Sequence, residues 1–121
     1  MKSYTDLEQS KKLAEILPLE SADMEYLAIK EIGKLVGDVP FVKDDSEVED
    51  SAYSHIYDRI ACWSLAALLS VVPEEVSLNS FKDGNWNAMV QQNGKMIYGD
   101  ANNSVDACVA MIIKLNEQNL L

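Results

Sequence analysis

At 121 residues the chain is long enough to bury one sizeable core and too short for two. Its 48% hydrophobic and 25% charged side chains are an ordinary globular balance that needs neither metal nor disulfide to fold. Twenty acidic against ten basic residues leave a net charge of −10, which repels phosphate backbones and anionic lipid over a Debye length of about 8 Å and favours a protein partner with a basic surface over nucleic acid or membrane.

Thr5-Asp6-Leu7-Glu8 has the form of a capping box and predicts a helix whose apolar stripe, Leu7, Ala14 and Leu17 with Leu13 and Ile16 beside them, ends near Leu17 at Pro18. Over 22–37, Met24, Leu27, Ala28, Ile32, Leu35 and Val36 fit helical spacing with Gly37 as the stop, so a helix is the better local reading. The β-branched content and Gly33 keep a strand or hairpin as the alternative. Val39 before Pro40 predicts a turn.

Asp44, Asp45, Glu47, Glu49 and Asp50 then crowd into one short segment. They lack the glycine and bidentate glutamate placement of a calcium loop, so no metal site is expected. Ser46-Glu47-Val48-Glu49 is a second capping box, and acids suit the positive end of a helix. Val48, Ala52, Ile56 and Ile60 continue it as a helical stripe. The run Trp63–Pro73 carries no charge and is apolar on every face, which predicts a central core helix over 62–72 closed by Pro73.

Beyond it the period changes from helical to alternating. Val76 and Leu78 alternate, Lys82-Asp83-Gly84-Asn85 reads as a turn, and Trp86, Ala88 and Val90 alternate again. Asn93-Gly94 is the strongest hairpin signal in the chain, since both residues tolerate the positive φ of a type I′ turn. Asn103 caps a last amphipathic helix, with Val105, Cys108, Val109, Ile112, Ile113 and Leu115 on its broad apolar face. The expected architecture is a single α+β domain over 1–121, a three-stranded antiparallel meander packed with three to five helices.

Three blocks, YTDLEQSKKLAEILPLESADM at Tyr4–Met24, CWSLAALL at Cys62–Leu69 and VDACVAMIIKL at Val105–Leu115, resemble a family of small proteins from anaerobic gut bacteria, their prophages and phages. Relatives carry proline where this chain has Ser104, and the likeness fails over Glu25–Ala61. The resemblance brings no activity and no catalytic residues; what it implies is a phage or mobile-element setting. The second half is also similar in element order to a double-stranded-RNA-binding domain, but Lys95 and Lys114 are too few for phosphate contacts there.

No Walker, GxGxxG, HExxH or zinc-ligand pattern occurs. His55 is the sole histidine, and a thiolate–imidazolium pair with Cys62 is the only nucleophilic arrangement the spacing allows. Buried thiols at Cys62 and Cys108 are the simpler reading, and Ser64 is expected to pack against a helix. Asp83 and Asp100 sit where aspartate serves turn backbone. Trp63 is expected in the core, while Trp86 divides between the covered face of the sheet and an exposed recognition surface with Met89, Met96 and Tyr98 nearby.

These readings converge on a non-enzymatic, cytoplasmic accessory protein that binds another macromolecule, such as a host nucleic-acid enzyme or defence protein. The candidate surface is Asp44, Asp45, Glu47, Glu49, Asp50, Trp86, Met89 and Tyr98. A nucleotide or second-messenger binder built around Trp86 and the tyrosines is the alternative. No cofactor, nucleic-acid partner or membrane partner is expected. The N-terminal MKSYTDLEQS has no apolar signal core, and the longest uncharged run, Ile60–Pro73, is shorter than the roughly twenty residues of a bilayer span. Oligomeric state stays open.

Overall fold

A computed structural model describes residues 2–43 and 56–121. Among the described residues the chain is α+β, with two three-stranded antiparallel sheets and three α-helices. It divides into two compact units.

The first unit spans Asp6–Trp63. Helix α1, Leu7–Leu13, opens on a capping box one residue later than the sequence predicts: the Asp6 carboxylate accepts from the Gln9 amide, and the Gln9 side chain answers the Asp6 N–H. Thr5 is instead buried. The helix ends at Leu13, Leu17 continues its buried stripe through a turn, and Pro18 leads into a 3₁₀ turn at Leu19–Ser21.

The helix expected over 22–37 is a strand. Strand β1, Met24–Ile29, lies between β2, Phe41–Val42, and β3, Tyr57–Cys62, in the order β2-β1-β3. Six consecutive β1 residues pair with β3, from Met24 opposite Cys62 to Ile29 opposite Tyr57. Gly33 at φ +66° turns the chain so that Ile29 N–H donates to the Lys34 carbonyl and Ala28 bridges Leu35. The alternative noted at Gly33 is thus the one adopted, because a partner strand far along the chain satisfies the backbone groups a lone helix would have satisfied internally.

The same pairing corrects two further expectations. The helical stripe drawn through Ile56 and Ile60 gives way at Tyr57–Cys62 to β3, and its earlier part, 44–55, lies outside the described residues. The central helix is correspondingly shorter than 62–72.

The second unit comprises 2–5 and 64–121. Helix α2, Leu65–Val71, starts on Ser64, whose hydroxyl accepts from the Ala67 amide at 3.2 Å; the serine expected to pack is a cap. It stops where Pro73 forces Val72 into an extended conformation, φ −80° and ψ 125°. The meander follows as expected: β4, Ser77–Ser80, β5, Trp86–Gln92, and β6, Lys95–Ala101, in the order β4-β5-β6. Asn93 at φ 52° and Gly94 at φ 76° make the β5–β6 turn.

Helix α3, Ser104–Glu117, packs across β5 and β6. Its Val105, Cys108, Met111, Ile112 and Leu115 are buried, as are Ala88, Val90, Ile97 and Gly99 on one face of the sheet. Gly99 permits the approach: a Cβ there would meet the Ala107 carbonyl oxygen, the Met111 amide and Ala110 Cβ. Asn103 caps the helix, its side-chain oxygen accepting from Asp106 N–H at 2.9 Å while Lys2 pairs with the Asp106 carboxylate at 2.7 Å.

Candidate functional site

Strand alternation and register determine which predicted residues meet. Because Ala88, Val90, Ile97 and Gly99 occupy the α3 side, the opposite side of the meander presents Ser77, Met89 and Tyr98 as one cross-strand row, with Gln91 opposite Met96 and Asn87 opposite Asp100. Met96 is 59% and Tyr98 47% exposed, and Met89, opposite Tyr98, is half-buried.

The Tyr98 carbonyl accepts from Lys114 Nζ at 2.8 Å, so its backbone groups point outward along the β6 edge. Met89 and Tyr98 are therefore a non-hydrogen-bonded pair, the class in which cross-strand side chains stand closest. The Lys114 ammonium also lies over the face of the Tyr98 ring, 4.7 Å from its centre.

Acids flank this apolar row. Asp100 accepts from Asn87 Nδ2 at 2.8 Å, and a depression of about 280 Å³ is lined by Glu74, Glu75, Met89 and Met96. Trp86 alternates with Ala88 and Val90 on the other side of the sheet and is half-buried. The tertiary arrangement thus joins Met89, Met96 and Tyr98 and separates Trp86 from them. Asp44, Asp45, Glu47, Glu49, Asp50 and His55 lie outside the described residues.

Other expected roles are placed as follows. Asp83 accepts from the Asn85 amide at 2.9 Å, serving its turn, whereas Asp100 serves a neighbouring strand. Cys62 and Cys108 are buried thiols, and burial pushes Cys108 up to about 11. Trp63 is fully buried, and its indole N–H donates to Ser21 Oγ at 2.9 Å.

The first unit holds a cluster that sequence reasoning missed. A groove of about 380 Å³ is bordered by Lys11, Lys43, Arg59 and Glu25, with Ala14, Leu19 and Ala61 as its apolar surface. Glu25 is only 6% exposed, and its carboxylate lies 3.8 Å from Arg59 Nε. The available signal was that Arg59 is the only arginine of the chain and Glu25 the one acid within the Met24–Ile29 run.

The fold defines an α+β protein whose helix-backed meander leaves its other face accessible and whose first unit carries a cation-bordered groove. No protein-family model, curated protein or solved structure matches the chain. Among the described residues, no helix is long and apolar enough to cross a membrane.

Proposed function

We propose that the chain is a non-enzymatic accessory protein of a phage or mobile element, acting in the bacterial cytosol by docking the outer face of β4-β5-β6 onto a protein with a basic surface. The observation that carries this reading is the cluster of exposed Met96 and Tyr98 with half-buried Met89, with Glu74, Glu75 and Asp100 around it. Aromatic and methionine side chains supply contact area at interface centres, and a charged rim sets orientation and partner choice. The net charge of −10 gives long-range attraction of the same sign. A nucleic-acid enzyme, whose substrate channel is itself basic, fits this complement, and the resemblance to phage-borne proteins supports the setting.

The test uses the whole chain as bait in a bacterial lysate, beside a Met96→Ser/Tyr98→Ser variant that removes only exposed side chains. The expected result is a basic protein retained at low salt, released at high salt and lost with the variant. Equal retention by the variant, or no salt-sensitive partner, overturns the proposal.

A further inference from the structure

The groove of the first unit reverses the charge of the molecule locally. Lys11 in the last turn of α1, Lys43 after β2 and Arg59 on β3 border it, against the single carboxylate of Glu25, within a chain carrying twice as many acids as bases. By register, Glu25, Arg59 and Ala61 share one face of the sheet, so the carboxylate and guanidinium stand side by side at the groove wall.

The Glu25 side chain is 8% exposed, and the contact with Arg59, at 3.8 Å, is longer than a hydrogen bond. Among the described residues Glu25 has a charge partner but no hydrogen-bond donor, and its carboxylate oxygens keep contact with solvent at the groove wall. Ala14, Leu19 and Ala61 supply apolar wall beside it.

We propose that this groove binds a small organic anion whose flat apolar body carries neutral N–H donors, and that a guanine nucleotide is its simplest representative. Three cations call for a phosphate or carboxylate. The apolar wall calls for a body that leaves water, and 380 Å³ accommodates a ligand of mononucleotide size. Glu25 offers only acceptors, so the ligand must donate; an ammonium or guanidinium donor is disfavoured by Lys11, Lys43 and Arg59, which leaves neutral N–H groups. The guanine edge, with two adjacent N–H donors, satisfies a carboxylate bidentately. Screening confines the repulsion of distant acids to about 8 Å at physiological salt, so the net charge does not forbid an anion here.

This site is independent of the docking face of β4-β5-β6. Its test is calorimetric titration of the full chain with guanosine monophosphate, adenosine monophosphate and inorganic phosphate. Saturable binding of the guanine nucleotide is expected, about tenfold tighter than the adenine nucleotide. Lys11→Gln/Lys43→Gln, which alters two exposed side chains, should weaken it about tenfold and flatten its salt dependence. Glu25→Gln should erase the guanine preference while phosphate-driven binding persists. No saturable binding of either nucleotide by the wild-type chain, equal affinity for both, or no effect of the double lysine variant overturns the proposal.

Discussion

Gly99 shows how one missing side chain governs a packing distance. The helix backbone of Ala107 and Met111 occupies the space a Cβ would need, and backbone cannot swing aside as a flexible side chain does. Gly99→Ala should therefore destabilise the chain by about 1–3 kcal/mol, read as a lower denaturant midpoint; an unchanged midpoint would mean that α3 slides on β6 without cost. Trp63 is a second case, since Trp63→Phe removes volume from a fully buried site and the 2.9 Å bond to Ser21, with an expected loss of about 2 kcal/mol in urea denaturation. Burial of Cys108 raises its thiol pKa from 9.0 to about 11, so the folded state keeps a proton that the unfolded chain releases between those values. The corresponding stability is fully present below pH 9 and lost as the pH rises toward 11, and the stability gap between wild type and Cys108→Ala should narrow across that window. None of these three contacts is written in local sequence: Trp63 reads as core, but its Ser21 partner comes from a distant turn.

At the scale of elements, α3 carries its start signal with it. Asn103 accepts from Asp106 N–H at 2.9 Å and donates to the Asp106 carboxylate at 2.8 Å, so Asn103→Ala should cost about 1 kcal/mol, visible as a lower melting temperature; retention of the wild-type value would show the cap to be dispensable. The elements legible in sequence are those whose determinants are local, namely this cap, the Asn93-Gly94 turn and the Pro73 stop. The β2-β1-β3 sheet was misread for the converse reason. Met24–Ile29 has apolar residues that satisfy helical spacing, and only pairing with Tyr57–Cys62, more than thirty positions away at the Met24–Cys62 end, makes the extended form better. Once Cys62 is committed to β3, helix α2 cannot begin before Ser64, which explains why the apolar run yields a shorter helix than its composition suggests. The docking row was half legible: alternation assigned Met89 to its face, but Tyr98 and Met96 joined it through register, and Trp86 was lost to the covered side by that same alternation.

For the whole molecule, twenty acids against ten bases leave self-repulsion that folding must overcome. Raising sodium chloride from about 20 mM to about 200 mM should raise the melting temperature by a few degrees, because the Debye length falls from about 20 Å to about 7 Å; a fall instead would show that screened ion pairs, such as Lys2 with Asp106, outweigh repulsion. Sequence by itself determined the α+β class, the meander with its turns, the last helix and the acidic character, since these follow from composition and from signals a few residues apart. Only the tertiary structure decided the second sheet, the side of the meander that Trp86 takes, and the gathering of Lys11, Lys43, Arg59 and Glu25 about one groove. The physical reason is that register and burial depend on residues distant in the chain, and each single-residue step along a strand moves a side chain to the opposite face.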